Sequence, residues 1–257
     1  MTIKVQDIVQ AMERYAPPVL AMPGDPVGLC LGRPDAAVRG ITVSLDLTSD
    51  VIEAALSEDA GMIITHHPPI YQPLQTLTSE SPEGDNLLTC AENGVALFAA
   101  HTNADACRGG TADLLAGILF PEQQAKPLVA LDAHAFDEGF GRVLSNLNET
   151  TGRLLQLCMD RLDAPFARLV GDLNRFVRVL AVWPGSMDEE VVLACQARRV
   201  DLLIAGECKH HLSLMLAARG IDLIVAGHDR TEMPFVGHVR TLLNDSFPAL
   251  PVYAPVR

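Results

Sequence analysis

The sequence predicts an α/β protein of two lobes, each a mainly parallel sheet covered by helices. Three observations carry that expectation. Short apolar runs alternate with helical patterns in two successive stretches, as parallel strands joined by helical crossovers require. The chain has 257 residues, enough for one large α/β domain or two smaller ones. The ligand-capable residues stand where apolar runs stop: Asp46, His66-His67, His101, Gly206-Glu207 and Gly227-His228-Asp229. Open parallel sheets bind ligands beyond the carboxyl ends of their strands, so this placement follows the topology.

The elements follow in order. Val5, Ile8, Val9 and Met12 fall at helical spacing, and Pro17-Pro18 end that helix. Ile41, Val43 and Leu45 form a strand, after which Thr48 or Ser49 caps a helix running to about Asp59. Met62-Ile63-Ile64 is a buried strand that stops at His66-His67-Pro68-Pro69. A helix over Asn86–Asn93 leads to the strand Val95–Ala100, which stops at His101, and Gly109-Gly110 opens a helix to Phe120. Residues 123–174 give weak strand signals around a helix at Thr151–Leu162. The alternation then resumes with strand Phe176–Val182, helix Asp188–Arg198, strand Leu202–Ala205, helix His211–Ala218 and strand Leu223–Ala226. A last helix covers Glu232–Leu243. The expected division is an N-terminal lobe over residues 1–125 and a C-terminal lobe over 126–257, joined near 121–130.

Composition narrows the function. With 49% apolar residues a sizeable core is available, which excludes a disordered chain. Acidic residues outnumber basic ones by 32 to 19, a formal net charge of −13. Such a surface repels phosphate backbones and anionic lipid, so neither nucleic acid nor a membrane is the expected partner. The six cysteines lack C-x-x-C spacing and read as buried, reduced thiols. Residues 1–13 carry polar side chains at a helical period rather than a basic-then-apolar leader, and no apolar run approaches the ~20 residues of a membrane span. A cytoplasmic location is expected.

The chemistry lies in paired motifs. Adjacent His66 and His67 point opposite ways in an extended segment, so they suit two metals better than one; the alternative is a hydrogen-bonded histidine pair. His101 and Asp105 stand four apart, as do His228 and Glu232, which sets each pair on one side of a helical turn. Taken singly, each pair also reads as a buried histidine beside a capping or first-turn acid. Together they offer four imidazoles and two carboxylates at strand ends. Mixed nitrogen and oxygen donors without thiolate suit Zn, Mn, Fe or Co. A carboxylate such as Glu232 can bridge two cations, and Asp46 and Thr65 are expected behind the imidazoles as orienting groups. In GECKHH, Glu207 and His211 are the candidates for moving protons. His134 and His238 have no partner at such spacing and are expected in surface or core roles. Trp183–Ser186 (WPGS) reads as a plain turn, with an anion-binding turn as its alternative; no phosphate-binding loop or nucleophile elbow occurs.

DPVGLCLG, SLDLT, ITHHPPIY, HTNADA, GECKHH and GHDRTE together resemble the motifs of the NIF-three-like dinuclear metal-centre proteins, type-two homologues of GTP cyclohydrolase I. They run from Asp25 to Glu232 in that family's order. The resemblance implies two interlinked α/β lobes with a metal site in the cleft between them, assembled as toroidal homohexamers (trimers of dimers). By motif it assigns His66, His67, Asp105, His228 and Glu232 to two divalent metals, with His101 at the first position of H-T-x-x-D. Two departures stand out. WPGS replaces a glycine-rich GGAGS-like turn, and residues 125–174 match only through GFGRV at Gly139–Val143.

The expected function is a metal-dependent hydrolase of a small nucleotide-like or phosphorylated substrate, ring opening of a purine nucleotide being the narrower form implied by the family's name. The competing expectation is a ring-shaped metal-binding, metal-delivery or assembly protein without turnover. DNA threaded through a ring is a third, disfavoured by the charge.

Overall fold

A computed structural model describes residues 2–131 and 138–255; His134 lies outside the described residues. The chain forms two compact units, one comprising Met1–Ala104 with Phe235–Arg257 and the other Asp105–Pro234.

The first unit begins with helix α1 (Val5–Tyr15), a 3-10 turn at Pro18–Leu20 and strand β1 (Gly28–Leu31). Strands β2 (Ile41–Ser44), β3 (Met62–Thr65) and β4 (Ala96–Ala99) alternate with helices α2 (Ser49–Ser57) and α3 (Pro82–Glu92). Each crossover helix starts at a polar cap. The Val51 amide donates to Thr48 Oγ1 at 3.4 Å, and the Gly84 amide donates to Ser81 Oγ at 3.0 Å with Pro82 at the first helical position. All four residues of β2, of β3 and of β4 are buried, as expected where helices cover a parallel sheet. Val51, Ile52 and Ala55 of α2 join Leu87 and Cys90 of α3 against Ile63 and Leu97.

The chain leaves this unit through α4 (Thr102–Ala106). In the second unit, α5 (Thr111–Leu119) begins at the Gly110 cap, followed by strands β5 (Lys126–Ala130), β6 (Gly139–Leu144) and β7 (Glu149–Thr150) and helix α6 (Thr151–Arg161). Then come β8 (Arg168–Val170), β9 (Phe176–Val177), β10 (Leu180–Ser186), α7 (Glu189–Ala197), β11 (Leu202–Glu207), α8 (His210–Ala218), β12 (Asp222–Val225) and α9 (His228–Glu232). The six-stranded sheet runs β5-β6-β10-β11-β12-β8, with β10, β11 and β12 parallel at its centre and antiparallel partners outside them. Period-two alternation divides its core. Leu180, Val182, Leu202, Ile204 and Ile224 meet α5 and α6, while Ala181, Leu203, Ala205 and Leu223 meet α7 and α8. Burying one such Leu or Ile stabilises the fold by roughly 1.5–3 kcal/mol.

Helix α10 (Pro234–Ser246) and strand β13 (Val252–Tyr253) return to the first unit. The expected single helix over 232–243 is two helices, α9 ending at Glu232 and α10 starting at Pro234, whose ring has no amide hydrogen to continue the ladder. β13 extends the first sheet, which runs β1-β4-β3-β2-β13 with only β1 antiparallel. Among the described residues no helix is long and apolar enough to cross a membrane.

Candidate metal centre

In the first unit the double histidine continues β3 past its last strand residue. The His66 amide donates to Ser44 O at 3.2 Å and the His67 amide to Leu45 O at 2.9 Å, so both are fixed by the backbone of β2. His101 stands just beyond β4, its amide donating to Asn103 Oδ1 at 2.9 Å, while Asn103 Nδ2 donates to Ala16 O at 2.7 Å. Two neighbouring strand ends, those of β3 and β4, therefore deliver three imidazoles to one place. Ring centroids lie 5.1 Å apart for His66 and His67, 5.3 Å for His66 and His101, and 5.8 Å for His67 and His101.

The rings share a second property. His66 Nδ1 is 2.8 Å from Ala100 O, His67 Nδ1 is 2.7 Å from Asp46 Oδ1, and His101 Nδ1 is 2.9 Å from Asp25 Oδ1. A carbonyl or carboxylate oxygen only accepts, so each ring donates from Nδ1, and in the neutral ring the lone pair is then on Nε2. This is the tautomer of a metal-binding imidazole supported from behind. One ring nitrogen from each of the three lies within 4.8 Å of the others, and the group can hold a metal ion.

Asp46 takes the orienting role expected of it, but Thr65 acts elsewhere: its hydroxyl donates to His67 O at 2.7 Å and holds the turn rather than a ring. Asp25, in DPVG, is an orienting group the motif spacing did not single out. It also accepts from the Thr102 amide at 3.1 Å and from the Thr102 hydroxyl. Burial pushes the Asp25 carboxyl up, but the bonds from His101 and Thr102 outweigh that and hold it below the usual carboxylate range.

In the second unit, α9 sets His228 and Glu232 four residues apart, with His228 Nε2 3.1 Å from Glu232 Oε2. His228 Nδ1 faces Glu207 Oε2 at 3.5 Å, so one imidazole sits between two carboxylates. Glu232 is buried, and a buried carboxylate requires a hydrogen-bonded partner or a cation. Gly185 of WPGS makes the room: a Cβ built there would lie 2.1 Å from Glu232 Oε1, on a backbone with φ of +66°. The Gly185 amide donates to Thr231 Oγ1 at 3.0 Å. WPGS lies within β10, with a register shift between Trp183 and Ser186, rather than forming the plain turn expected, and the Gly185 amide is taken up by Thr231 rather than left for an anion. Asp105 accepts from the Thr111 hydroxyl. His211 stands exposed on the first turn of α8, and His238 is a half-buried ring 5.1 Å from Tyr15.

The model of the family described as Duf34/NIF3 (NGG1p interacting factor 3) matches residues 3–254. A Clostridium acetobutylicum protein named GTP cyclohydrolase 1 type 2 homolog is 31% identical over 261 aligned residues, which cover 100% of this chain and 95% of that protein. Among solved structures, the Bacillus cereus protein related to NIF3 superposes with a TM-score of 0.90 at 21% identity, over 100% of this chain and 97% of its own, a likeness of fold. Reduced HcgD from Methanocaldococcus jannaschii superposes at 0.84 with 26% identity, over 99% and 98% of the two chains. A family match across 3–254, a whole-length relative and the shared fold agree: the chain belongs to the Duf34/NIF3 family.

Proposed function

We propose that this chain is a dinuclear divalent-metal protein that hydrolyses a small nucleotide-like or phosphorylated molecule. The observation that carries the metal reading is the bracing shared by His66, His67 and His101, each held through Nδ1 by an oxygen acceptor. A core of packed histidines has no need for three such braces, whereas a metal ligand set does. We assign His66, His67, His101, Asp105, His228 and Glu232 to two ions drawn from Zn, Fe, Mn and Co. When bound, such ions polarise a phosphoryl or carbonyl oxygen and lower the pKa of water. Asp105 and Glu232 supply the negative charge that balances them. We assign the movement of protons to Glu207, 3.5 Å from His228, and to His211 on α8. The name of the Clostridium acetobutylicum relative supports a purine-nucleotide substrate. A homohexamer, trimer of dimers, is the assembly we assign on the strength of the motif resemblance.

Metal content of protein purified without added metal tests this, alongside His67→Ala and Glu232→Gln. About two transition-metal ions per chain, reduced in both variants, is the expected result for a two-metal site. Substoichiometric metal indifferent to both substitutions overturns it. Two bound metals with no turnover of phosphoesters or nucleotides would instead identify a metal-binding assembly protein.

A further inference from the structure

Phe235 and Tyr71 both pack against histidines of the first unit, and the fold uses the two rings differently. Phe235 stands 5.0 Å from His66 by ring centroids and is 0% exposed, so it belongs to the core. Tyr71 stands 6.4 Å from His101, its ring at 85° to the imidazole, yet it remains 60% exposed. Edge-to-face contact at such a separation is a favoured aromatic geometry and gives the ring a defined place. The chain reaches Tyr71 from His66-His67 through Pro68-Pro69, whose rings fix two backbone φ angles and restrict where residue 71 can go.

That exposure is the unusual property. A tyrosine carries one of the larger apolar surfaces, and leaving most of it in water forgoes the stabilisation that burial gives. The fold gains a ring contact from Tyr71 and leaves the rest of the side chain to solvent. Residues 72–81, which follow it, are exposed as well, so Tyr71 opens a surface segment rather than a buried one. His67 and His101 keep 28% and 21% of their side chains exposed. A molecule that approaches these imidazoles from solvent therefore comes within reach of an uncovered aromatic ring.

We propose that Tyr71 is a specificity-determining residue, the platform on which the planar base of a nucleotide-like substrate stacks beside the imidazoles. Every base has a π-face, and an exposed aromatic side chain stacks on it without requiring one hydrogen-bonding pattern. A phosphorylated molecule without a planar ring gains nothing from Tyr71. The residue thus narrows the substrate class from small phosphorylated molecules to those that carry a flat heterocycle. The inference rests on the hydrolase reading for its substrate and goes further by naming the part of that substrate the protein selects.

The test compares a ligand that has a base with one that lacks it. Guanosine monophosphate and ribose 5-phosphate are titrated calorimetrically into the wild-type protein and into Tyr71→Ala, Tyr71→Leu and Tyr71→Phe. Metal content, thermal midpoint and sedimenting mass are measured for each. Wild type is expected to bind the nucleotide roughly tenfold more tightly than the sugar phosphate. Tyr71→Ala should abolish most of that preference by weakening the nucleotide alone, at unchanged metal content. Tyr71→Phe should keep it, because the ring face carries the contact. Tyr71→Leu, which keeps apolar bulk without a π-face, should behave like Tyr71→Ala and takes its place should that variant not fold. An undiminished preference in Tyr71→Ala or Tyr71→Leu overturns the platform and leaves the nucleotide reading standing. Equal binding of both ligands by wild type also overturns it, leaving a phosphorylated substrate whose base is not selected. Loss in Tyr71→Phe as severe as in Tyr71→Ala would assign the contact to the hydroxyl and overturn the stacking role. Equal weakening of both ligands, or a changed sedimenting mass in Tyr71→Ala, would make Tyr71 a support of the site or a contact between copies, and overturns it as well. If wild type holds metal and binds neither ligand, the platform and the nucleotide reading fall together. A wild type without metal that still prefers the nucleotide through Tyr71 would remove the hydrolase reading and leave the platform standing.

Discussion

Gly185 and Glu232 are built as a pair: the carboxylate of one occupies the space where the other would carry a side chain, 2.1 Å from the Cβ position. The φ of +66° at Gly185 adds a backbone reason for the same residue. Gly185→Ala is therefore expected to destabilise the fold by about 1–3 kcal/mol and to displace Glu232. Thermal unfolding and a zinc titration check this; unchanged midpoint and unchanged affinity would show that Glu232 moves aside without consequence.

His67 depends on Asp46, and a residue behind a metal-binding imidazole typically accounts for about 10- to 100-fold of metal affinity. Asp46→Asn keeps the shape and can still accept from Nδ1, but it loses the charge. A weakening of zinc affinity by about tenfold with little change in stability is expected. Equal affinity in the variant would argue that His67 binds no metal.

Much of this was legible in the sequence because of one physical circumstance. Strands β3, β11 and β12 are buried on both faces, so each is a near-continuous apolar run, and the histidines and glutamate that follow stand out against it. β1 was not legible: it is a four-residue edge strand with a register shift between Leu29 and Leu31, where neither alternation nor an apolar run develops. Helix α3 starts at Pro82, earlier than the apolar period suggests, because its cap Ser81 and first-turn acids carry no hydrophobic signal. Asp25 was missed as a partner of His101 for a different reason: the two lie 76 residues apart, and no local spacing relates them. Likewise, the pairing of Arg142 with Asp113 spans 29 residues, so GFGRV looked like a bare motif.

Asp222 supplies a pH prediction. Burial raises its carboxyl above the usual value, and Arg175, with Nη1 3.4 Å away, only partly offsets this. A group with a raised folded pKa binds its proton more tightly in the native state than in the unfolded one. The charged form thus opposes folding at neutral pH, and that opposition fades as pH falls through the folded pKa. Asp222→Asn should compare more favourably with wild type at pH 7 than at pH 4 in urea unfolding. A stability difference that is flat across this range would show that Arg175 fully compensates the buried charge.

The cysteines give a reactivity pattern. Burial pushes Cys158 and Cys195 to about 12 and Cys30 and Cys90 to about 11. Cys208 is half-buried and also raised by burial, with Arg168 pulling the other way. Because the thiolate is the reactive form, iodoacetamide at pH 8 should modify Cys208 first and leave Cys158 and Cys195 intact until denaturant is added. Peptide mass spectrometry reads the order, and early labelling of Cys158 would contradict the packing around α6.

The pairing of β13 with β2 has a consequence for how the protein is made. Val252 and Tyr253 lie beside Ile41 and Thr42, more than two hundred residues upstream, in the sheet whose neighbouring strands lead into His66, His67 and His101. A ribosome adding residues from the amino end exposes β2, β3 and β4 long before it supplies the strand that closes their edge. The intervening unit, continuous in sequence, is free to fold while the first sheet waits with one flank uncovered. Sequence separation of this kind slows folding, because the ends of a long loop must meet before the contact rewards them. The last unit to be completed on synthesis is then the one that holds the three histidines.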